Sequence, residues 1–370
     1  MIQTKRLLQL FQELVALDNP SGAEAAVLGK IREELNRLGI ASEEDDTGAK
    51  IGGNAGNLYA FVDGTVALPP LLLSAHMDCV DPAVGKRAVV HPDGTITSSG
   101  DTVLGADDLS GVAVILEALT VLKENQLPHR PLELLFDVSE ETYCTGIQQF
   151  DFSRLHSQEA YVLDLSGAVG RAAYQAPSSL SFRAVFHGRA AHAAFSPEAG
   201  IHAIQAAAKA VASIPCGRVE DTTVNIGTIS GGTADNIVPE TCTVTGEVRS
   251  FDDGSARRQL GRIEKTLRDA AESAGAGLDF SSEALCTAYA VSCDAPVAKR
   301  FQAACLAAGL TPEFVTTYGG SDNNHFAQQG IRGLVVASGM NDCHSRGEWS
   351  SVAELERAAR LTLALILAKE

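Results

Sequence analysis

The stretch LLLSAHMD, residues 71–78, decides the fold because an apolar run passes directly into side chains that bind metals. Residues 70 to 75 are all apolar or small, which predicts a buried strand. His76 and Asp78 then lie at the carboxyl end of that strand, where open α/β sheets hold their ligands. The sequence therefore predicts an α/β protein with a ligand site at this edge of the sheet.

Other segments end in the same way. A predicted strand at residues 131–138 runs into a pair of glutamates, and a shorter one at residues 160–163 ends at Asp164. A glycine-containing turn at residues 104–108 carries Asp107, 31 residues after the histidine of the first strand. In each case a metal-binding side chain follows an apolar strand or a glycine, in the chain order that a site at a sheet edge requires.

The pattern of predicted elements indicates two domains. Strands and helices alternate up to residue 176, which is typical of an α/β layer architecture. Residues 177–289 instead follow the order β-α-β-β-α-β of a ferredoxin-like domain. Alternation then returns, ending in a helix predicted at residues 351–369. We expect a discontinuous catalytic domain with a mixed central sheet, residues 1–176 and 290–370, and an inserted ferredoxin-like α+β lid or dimerisation domain, residues 177–289.

Composition narrows the partners and the compartment. With a formal net charge of -17 over 370 residues, the surface would repel nucleic acid and anionic membranes. No window approaches the roughly 20 apolar residues of a membrane span, and the first helix is amphipathic and charged, unlike a signal segment. The eight cysteines include no C-x-x-C pair, which favours reduced thiols and a cytoplasmic location.

The candidate metal ligands combine two imidazoles with three carboxylates. Such a mixture suits zinc, with cobalt or manganese as alternatives. One carboxylate can bridge two metal ions while each ion keeps a histidine and a further acid, and two such ions activate water for hydrolysis. The five candidates are His76, Asp107, Glu141, Asp164 and His344.

Two neighbouring acids are candidates for other roles. Glu140 is adjacent to a candidate ligand and is placed to take a proton from the attacking water and pass it to the leaving amine. Asp78, two residues after His76, is a candidate partner for an imidazole N–H. Taken singly, each of these signals has a structural alternative: a solvated acidic pair, a turn or a helix cap.

Together these residues resemble the co-catalytic metallopeptidases, a family that includes peptidase T, aminoacylase, succinyl-diaminopimelate desuccinylase and carboxypeptidase G. The resemblance extends over nearly the whole chain, and the combination is far more specific than any single pattern. The matching segments are SAHMD at 74–78, GADDLSG at 105–111, EE at 140–141, VLD at 162–164, GRAAHA at 188–193, GGTADNIVP at 231–239 and CH at 343–344.

The resemblance implies a division of the ligands between two divalent metal ions. Asp107 would bridge them, with His76 and Asp164 on one ion and Glu141 and His344 on the other. It also implies that Glu140 is the general base, that Asp78 orients the first histidine, and that a cis peptide follows the bridging aspartate.

Further candidates lie in the predicted lid and in a later turn. The resemblance implies that His192 stabilises the oxyanion and that Asn236 and Arg249 bind the substrate backbone or its terminal carboxylate, for which the planar guanidinium is suited. Gly320 and Ser321 belong to a GGSD turn similar to one near the substrate in the peptidase T-like branch. The structural alternatives are a turn cap, a surface ion pair and a helix cap. In dimeric relatives some lid residues act on the neighbouring subunit, so a homodimer is expected.

The sequence therefore predicts a dinuclear metal-dependent hydrolase that cleaves an amide bond, with an aminopeptidase acting on short peptides as the first expectation. An N-acyl amino acid deacylase or a carboxypeptidase would use the same centre with a different pocket. A metal-binding relative without activity is the alternative from another class. The chain is short for peptidase T, and the interval of 31 residues between the first histidine and Asp107 is closer to the spacing of the wider family.

Overall fold

The computed structural model describes residues 1–368, in which helices and strands alternate along most of the chain. The helices are α1 (Thr4–Val15), α2 (Ala25–Arg37), α3 (Thr47–Ile51), α4 (Ala106–Asn125), α5 (Ala203–Ser213), α6 (Asp253–Ser273), α7 (Pro296–Ala307), α8 (Asp322–Gln328) and α9 (Val352–Leu367). The strands are β1 (Ser42–Glu44), β2 (Leu58–Val62), β3 (Leu71–His76), β4 (Ala88–Val90), β5 (Thr95–Ser98), β6 (Leu132–Asp137), β7 (Glu159–Leu165), β8 (Arg171–Ala176), β9 (Ser178–His187), β10 (Gly217–Val219), β11 (Thr222–Gly231), β12 (Thr241–Ser250), β13 (Gly277–Cys286), β14 (Tyr289–Ala290), β15 (Glu313–Thr316), β16 (Arg332–Ala337) and β17 (Trp349–Ser351).

The chain divides into two compact units. The first contains Met1–Gln175, Ala290–Thr317 and the described residues from Ser321 onward, and the second contains Ala176–Tyr289 together with Tyr318–Gly320. The last of these segments lies within the range that the sequence assigns to the catalytic domain. It packs with the second unit because Tyr318 makes an edge-on ring contact and a backbone hydrogen bond there.

A mixed sheet forms the centre of the first unit and confirms the predicted α/β class. Its strands run in the order β1-β2-β6-β3-β7-β16-β8-β14, and β15 pairs with β8 beside this path. Strand β3 is parallel to β6 and β7, and β16 is parallel to β7, whereas β2 is antiparallel to β6. The carboxyl ends of β3, β6, β7 and β16 therefore meet at one edge of the sheet.

The core of the first unit explains why its central strands are continuous apolar runs. Every residue of β3 and of β6 is buried, as expected for parallel strands covered on both faces. Helix α4 is buried from Ala106 to Leu122. Burying one large aliphatic side chain contributes about 1.5–3 kcal/mol, so these elements form a firm base for the loops that follow them.

The predicted helix at residues 110–122 is the regular part of α4. Asp107 and Asp108 lie within the bounds of α4 but have non-helical backbone angles, and the peptide bond between them is cis. The cis peptide implied by the family resemblance is thus confirmed. The apolar spacing in the sequence predicts only the regular part of this helix. The residues before it are irregular, and one of them, Asp107, is a candidate metal ligand.

The second unit has the expected ferredoxin-like arrangement. Its antiparallel sheet runs in the order β10-β11-β12-β9-β13, in which β10 is a short addition. Helices α5 and α6 pack on the sheet face that carries Phe186, Val244 and Val248 and form one apolar core with it. Leu267 of α6 is fully buried in this core.

Several short elements carry no sequence signal. A small sheet of β17, β5 and β4 stands apart from the central sheet.

The final helix α9 ends at Leu367, and Lys369, which the sequence places in that helix, lies outside the described residues. Among the helices of residues 1–368, none is long and apolar enough to cross a membrane.

Candidate active site

The five candidate ligands all belong to the first unit and lie at the edge where its parallel strands end. His76 is the last residue of β3, and Asp164 is the last residue but one of β7. Glu141 follows β6, and His344 lies in the loop between β16 and β17. Asp107 lies at the irregular start of α4. Sheet topology therefore brings together residues that are far apart in sequence.

Asp107 lies between two groups of potential ligands. Its Oδ1 is 3.2 Å from Nε2 of His76, which is also 3.8 Å from Oδ1 of Asp164. Its Oδ2 is 3.2 Å from Nε2 of His344, which is 2.9 Å from Oε2 of Glu141. Each trio offers ligand atoms that lie within 4.8 Å of one another. The two oxygens of one carboxylate thus face two separate clusters.

The geometry of these clusters fits divalent cations. Two ligand atoms, each about 2.1 Å from a tetrahedral zinc ion, lie about 3.4 Å apart. The separations of 2.9 to 3.8 Å between the imidazole nitrogens and the carboxylate oxygens scatter around that value. Oε1 of Glu141 is buried without a hydrogen-bond partner, which is costly unless a cation or water meets it.

Asp78 links the first histidine to the glutamate pair. Nδ1 of His76 is 3.0 Å from the carbonyl oxygen of Asp78 and 3.3 Å from its Oδ1, so Nδ1 carries the hydrogen and Nε2 is free to bind a metal. The Asp78 carboxylate also accepts from the backbone N–H groups of Glu140 and Glu141, at 3.0 and 3.2 Å, and from the Ser21 hydroxyl at 2.6 Å.

Electrostatics in the site favours charged imidazoles when no cation is present. Burial disfavours the charged ring of His76, but hydrogen bonds to Asp107 and Asp78 outweigh it and raise its pKa well above the ordinary value. Hydrogen bonds to Asp107 and Glu141 raise the pKa of His344 to about 10. Burial opposes ionisation of Asp107, yet its hydrogen bonds to the two histidines hold its pKa far below the usual range. Protons and metal ions therefore compete for the same imidazoles.

Several other carboxyl groups in the site have pKa values that are raised well above the ordinary range. Burial is the largest cause for Asp108, Asp137 and Asp164, and neighbouring carboxylates add to it. Both Oδ atoms of Asp137 are buried without a hydrogen-bond partner, and the nearby charge of Asp322 adds to the rise in its pKa. Acid groups thus outnumber the basic ones here, as expected of a site that binds cations.

Glu140 is buried beside the ligands without being one of them. Burial raises its pKa well above the usual value, with further contributions from the charges of Asp322, Glu141 and Asp78. The Cys144 thiol donates a hydrogen bond to its Oε1 at 3.3 Å. A carboxylate with a raised pKa is a better proton acceptor at neutral pH, which suits general base catalysis.

Sequence reasoning missed the residues that hold the ligand loops. Glu24 accepts hydrogen bonds from the backbone and hydroxyl of Ser139, both at 3.1 Å, just before the glutamate pair. Asn19 donates to the carbonyl of Met77 at 2.7 Å. Glu348 accepts from the backbone of Gly105. Each is an isolated polar residue without a periodic context, so only its burial in the fold reveals its role.

In the second unit, His192 is exposed and its ring is held in one orientation. Its Nδ1 accepts from the backbone N–H groups of Ala194 and Phe195, both at 3.2 Å, and the Phe195 ring lies 4.3 Å away. The neutral ring therefore carries its hydrogen on Nε2 and can donate it outward. The carbonyl of Asn236 accepts from Ala193 N–H at 3.0 Å, so the two loops lie side by side.

Arg249 is already engaged within the second unit. Its Nε and Nη2 donate to the two carboxylate oxygens of Glu247, at 3.1 and 3.0 Å, and its Nη1 donates to the carbonyl of Tyr318 at 2.9 Å. It lines a cavity of about 370 Å³ with the ring of Phe251 and with Arg218, whose guanidinium lies 5.5 Å from the centre of the Tyr318 ring. A substrate carboxylate would have to share this guanidinium with Glu247.

The GGSD turn is divided between the two units. Ser321 precedes the first residue of α8, and its backbone N–H donates to Oδ1 of Asn324 at 3.1 Å, as in a capping box. Ser321 is buried. Gly320 belongs to the second unit. The structure thus supplies a helix-capping role for Ser321, and a role of either residue in substrate binding stays a prediction.

Comparison with protein families matches two separate segments of the chain. Residues 57–172 match the family described as Peptidase family M28, and residues 174–275 match the one described as Peptidase dimerisation domain. Among curated proteins, the chain is 34% identical to the uncharacterized protein YqjE of Bacillus subtilis over 367 residues, 99% of each chain. It is 27% identical to peptidase T of Pectobacterium carotovorum over 282 residues, 72% of this chain and 66% of the relative.

Solved structures give full-length matches. The aminopeptidase PepT from Bacillus cereus is 34% identical with a TM-score of 0.91, and the match covers 99% of this chain and 98% of that one. A tripeptidase from Staphylococcus aureus is 32% identical with a TM-score of 0.94 and the same coverage. Both the fold and the order of the segments are therefore shared along the entire length.

Proposed function

The chain belongs to the family of co-catalytic metallopeptidases that includes peptidase T, and on this premise we propose that it is a dinuclear zinc aminopeptidase that removes the first residue of short peptides. It is a metal-dependent peptide hydrolase, as the full-length likeness to an aminopeptidase and a tripeptidase supports. The observation that carries the dinuclear assignment is the placement of Asp107, whose two oxygens face two separate His/acid clusters.

Each metal ion would be held by one histidine, one further acid and the shared aspartate. His76 and Asp164 would hold one ion and Glu141 and His344 the other, with Asp107 common to both. When bound, the two ions polarise the scissile carbonyl and lower the pKa of the attacking water. The mixed nitrogen and oxygen donors favour zinc, with cobalt and manganese as functional substitutes.

Glu140 would move the proton in this reaction. Its carboxylate is buried beside the ligand cluster, and its pKa is raised by burial and by neighbouring acids. It would accept a proton from the attacking water and deliver it to the nitrogen of the leaving amine, which departs neutral. Asp78 would keep the pair Glu140–Glu141 and the His76 ring in place through its hydrogen bonds to all three.

The second unit would contribute groups that recognise the substrate. His192 can donate its Nε2 hydrogen to a carbonyl oxygen that gains negative charge, because its Nδ1 is occupied. Asn236 and Arg249 would bind the peptide backbone or its terminal carboxylate, and Gly320 and Ser321 would contact the substrate near that turn. These assignments rest on the family resemblance.

We also propose a homodimer formed through the second unit, because residues 174–275 match the Peptidase dimerisation domain. A cytoplasmic location fits the cysteines, since all eight are free thiols. Nucleic acid and anionic membranes are unsuitable partners for a chain with a net charge of -17.

The decisive experiment compares four substrate groups with protein that is stripped of metal and reloaded with zinc, cobalt or manganese. The groups are di- and tripeptides with a free amine, the same peptides with a blocked amine, peptides with an amidated carboxyl end, and N-acyl amino acids. Release of the first residue from free-amine and amidated peptides, only after reloading, is expected of an aminopeptidase.

Other outcomes would revise the proposal. Release of the last residue from blocked peptides would establish a carboxypeptidase, and preference for N-acyl amino acids would establish a deacylase. No turnover of any group by protein that holds two metal equivalents would remove peptide hydrolysis as its activity.

A further inference from the structure

A buried glutamate outside the ligand set touches the backbone on both sides of Ala106. Glu348 is only 2% exposed, and its two carboxylate oxygens accept separate backbone hydrogen bonds. Oε2 accepts from Gly105 N–H at 2.7 Å, and Oε1 accepts from Asp107 N–H at 2.9 Å. A carboxylate that accepts two N–H groups in this way restrains the backbone from Gly105 to Asp107.

The same glutamate lies at the base of the loop that carries His344. Asn341 and Trp349 exchange two backbone hydrogen bonds of 3.0 Å, which close this loop at its stem, and Glu348 N–H donates to the carbonyl of Ser345 at 3.1 Å. The His344 side chain itself is 57% exposed. Packing around the ring is therefore sparse, and its position depends on the loop stem.

The turn that carries Asp107 is tightly enclosed at Gly105, and the nearest charged side chain there is a donor that is already engaged. Gly105 has a φ of +79°, and a Cβ there would lie 2.9 Å from Cε of Lys86 and 3.0 Å from Sγ of Cys79. The Lys86 ammonium is itself buried and donates to the carbonyls of Leu17 and Ala83 and to the side chain of Asn19. Without Glu348, two buried N–H groups would lose their acceptors, which is costly.

We propose that Glu348 is a positioning residue for metal binding: it ties the Asp107 turn to the stem of the His344 loop and so sets the separation of these two ligands. The observed separation is 3.2 Å between Oδ2 of Asp107 and Nε2 of His344. This inference rests on the proposed ligand assignment. Residues that hold metal ligands in place typically affect metal affinity or activity by about 10–100-fold.

The test measures zinc binding, without substrate, by isothermal titration of the metal-free full-length protein. In Glu348→Gln the side-chain oxygen can accept only one of the two N–H groups, and its NH₂ opposes the other. We expect zinc affinity to fall by about 10–100-fold at one or both sites. Glu348→Asp keeps the charge but is one methylene shorter, so it is expected to be intermediate, and it serves if the glutamine variant does not fold.

Glu133→Gln is the matched control. Glu133 is also fully buried and accepts backbone hydrogen bonds from His156 at 2.9 Å and Ser157 at 2.7 Å, but it contacts none of the ligands. Both variants are expected to lower the melting temperature of the metal-free protein, whereas only the Glu348 variants are expected to weaken zinc binding. Wild-type zinc affinity in the Glu348 variants, or an equal loss in Glu133→Gln, would overturn the proposal.

The titration also separates this inference from the proposed function. If wild-type protein binds two zinc ions but hydrolyses no peptide, the proposed substrate is wrong and the role of Glu348 is still decided by its zinc affinity. If Glu348→Gln binds zinc normally and wild-type protein cleaves peptides, the function stands and the positioning role fails.

Discussion

Asp107 shows how one residue can determine a whole centre. It supplies a different oxygen to each cluster, at the same distance of 3.2 Å from each histidine. Its position depends on a short turn that begins at a glycine in the left-handed region and ends at the regular part of α4. The other residues of the site fall into two kinds. Substitution of the first kind removes a metal ligand, and substitution of the second kind leaves all the ligands in place.

Glu140 belongs to the second kind, and its substitution tests the proton transfer. Glu140→Gln should keep both metal equivalents and reduce kcat by about 10²–10⁴-fold, because it removes the base but no ligand. Metal content by elemental analysis and steady-state kinetics on a cleaved peptide check this. A variant that keeps near-normal kcat would rule out Glu140 as the base, and one that lost its metals would show that it acts as a ligand.

His192 allows a similar test for oxyanion stabilisation. His192→Ala should reduce kcat by about 10²–10³-fold with a smaller effect on KM, since a donor to developing charge acts mainly in the transition state. His187→Ala is the control, because His187 is also an exposed histidine of the second unit and its Nε2 lies 2.9 Å from the Asp279 carboxylate. Equal kinetics for the two variants would mean that His192 has no part in turnover.

At the scale of elements, the start of α4 is tightly packed beside the ligand turn. Gly111 N–H donates to Oδ1 of Asp108 at 3.1 Å, and a Cβ on Gly111 would lie 2.4 Å from that oxygen. Gly111→Ala should therefore displace Asp108 and the adjacent ligand turn, lowering both the melting temperature and the zinc affinity. Calorimetry and zinc titration measure the two effects.

Gly29→Ala provides the matched control for that substitution. Gly29 lies within α2, and nothing approaches the position of its Cβ within 4 Å. Alanine there should be neutral or should stabilise the protein by up to about 1 kcal/mol, because it improves helix propensity. If Gly111→Ala also left the melting temperature and the zinc affinity unchanged, the irregular start of α4 could accommodate the added Cβ without displacing Asp108.

The elements also show what sequence can and cannot reveal. Strands β3 and β6 are predictable because burial on both faces demands an uninterrupted apolar run, and the residues that follow them are then placed by topology. Strand β4 has three residues, none of them buried, so it leaves no periodic signal. Helix α8 is short and opens on Asp322, which is buried near the site, so hydrophobic periodicity could not reveal it.

The same limit applies to the candidate site. Ligands stand out because histidines and acids follow apolar strands, which is an unusual pattern. Glu348 and Glu24 resemble ordinary surface acids in sequence, and only long-range folding shows that each is buried and accepts backbone hydrogen bonds. The sequence shows that Arg249 has a side chain suited to binding a substrate carboxylate. It does not show that the guanidinium is already paired with Glu247, two residues earlier in β12.

At the scale of the whole molecule, the crowded acids make stability depend on pH and on metal. Burial raises the pKa of Asp108, Asp137 and Asp164 well above their unfolded values near 4, and raises that of Glu348 to about 7. A group with a raised folded-state pKa stabilises the fold below its unfolded pKa, and this contribution is lost as pH rises through the folded value. The histidine pKa of about 10 at His344 acts in the same direction.

The metal-free protein should therefore lose stability as pH rises from about 5 to 7, a window set by the unfolded carboxyl pKa values and the Glu348 pKa of about 7. Asp107 and Asp78 have lowered pKa values, but their contribution is lost only below about pH 4, outside this window. Zinc should reverse the trend, because it binds deprotonated ligands and stabilises the fold by about 4 kcal/mol at a thousand times its Kd. Melting temperatures across this pH range, with and without zinc, measure both effects. A metal-free melting temperature that rises with pH would show that the buried acids are ionised in the folded protein across this range. A melting temperature that zinc leaves unchanged would show that no metal binds the folded site.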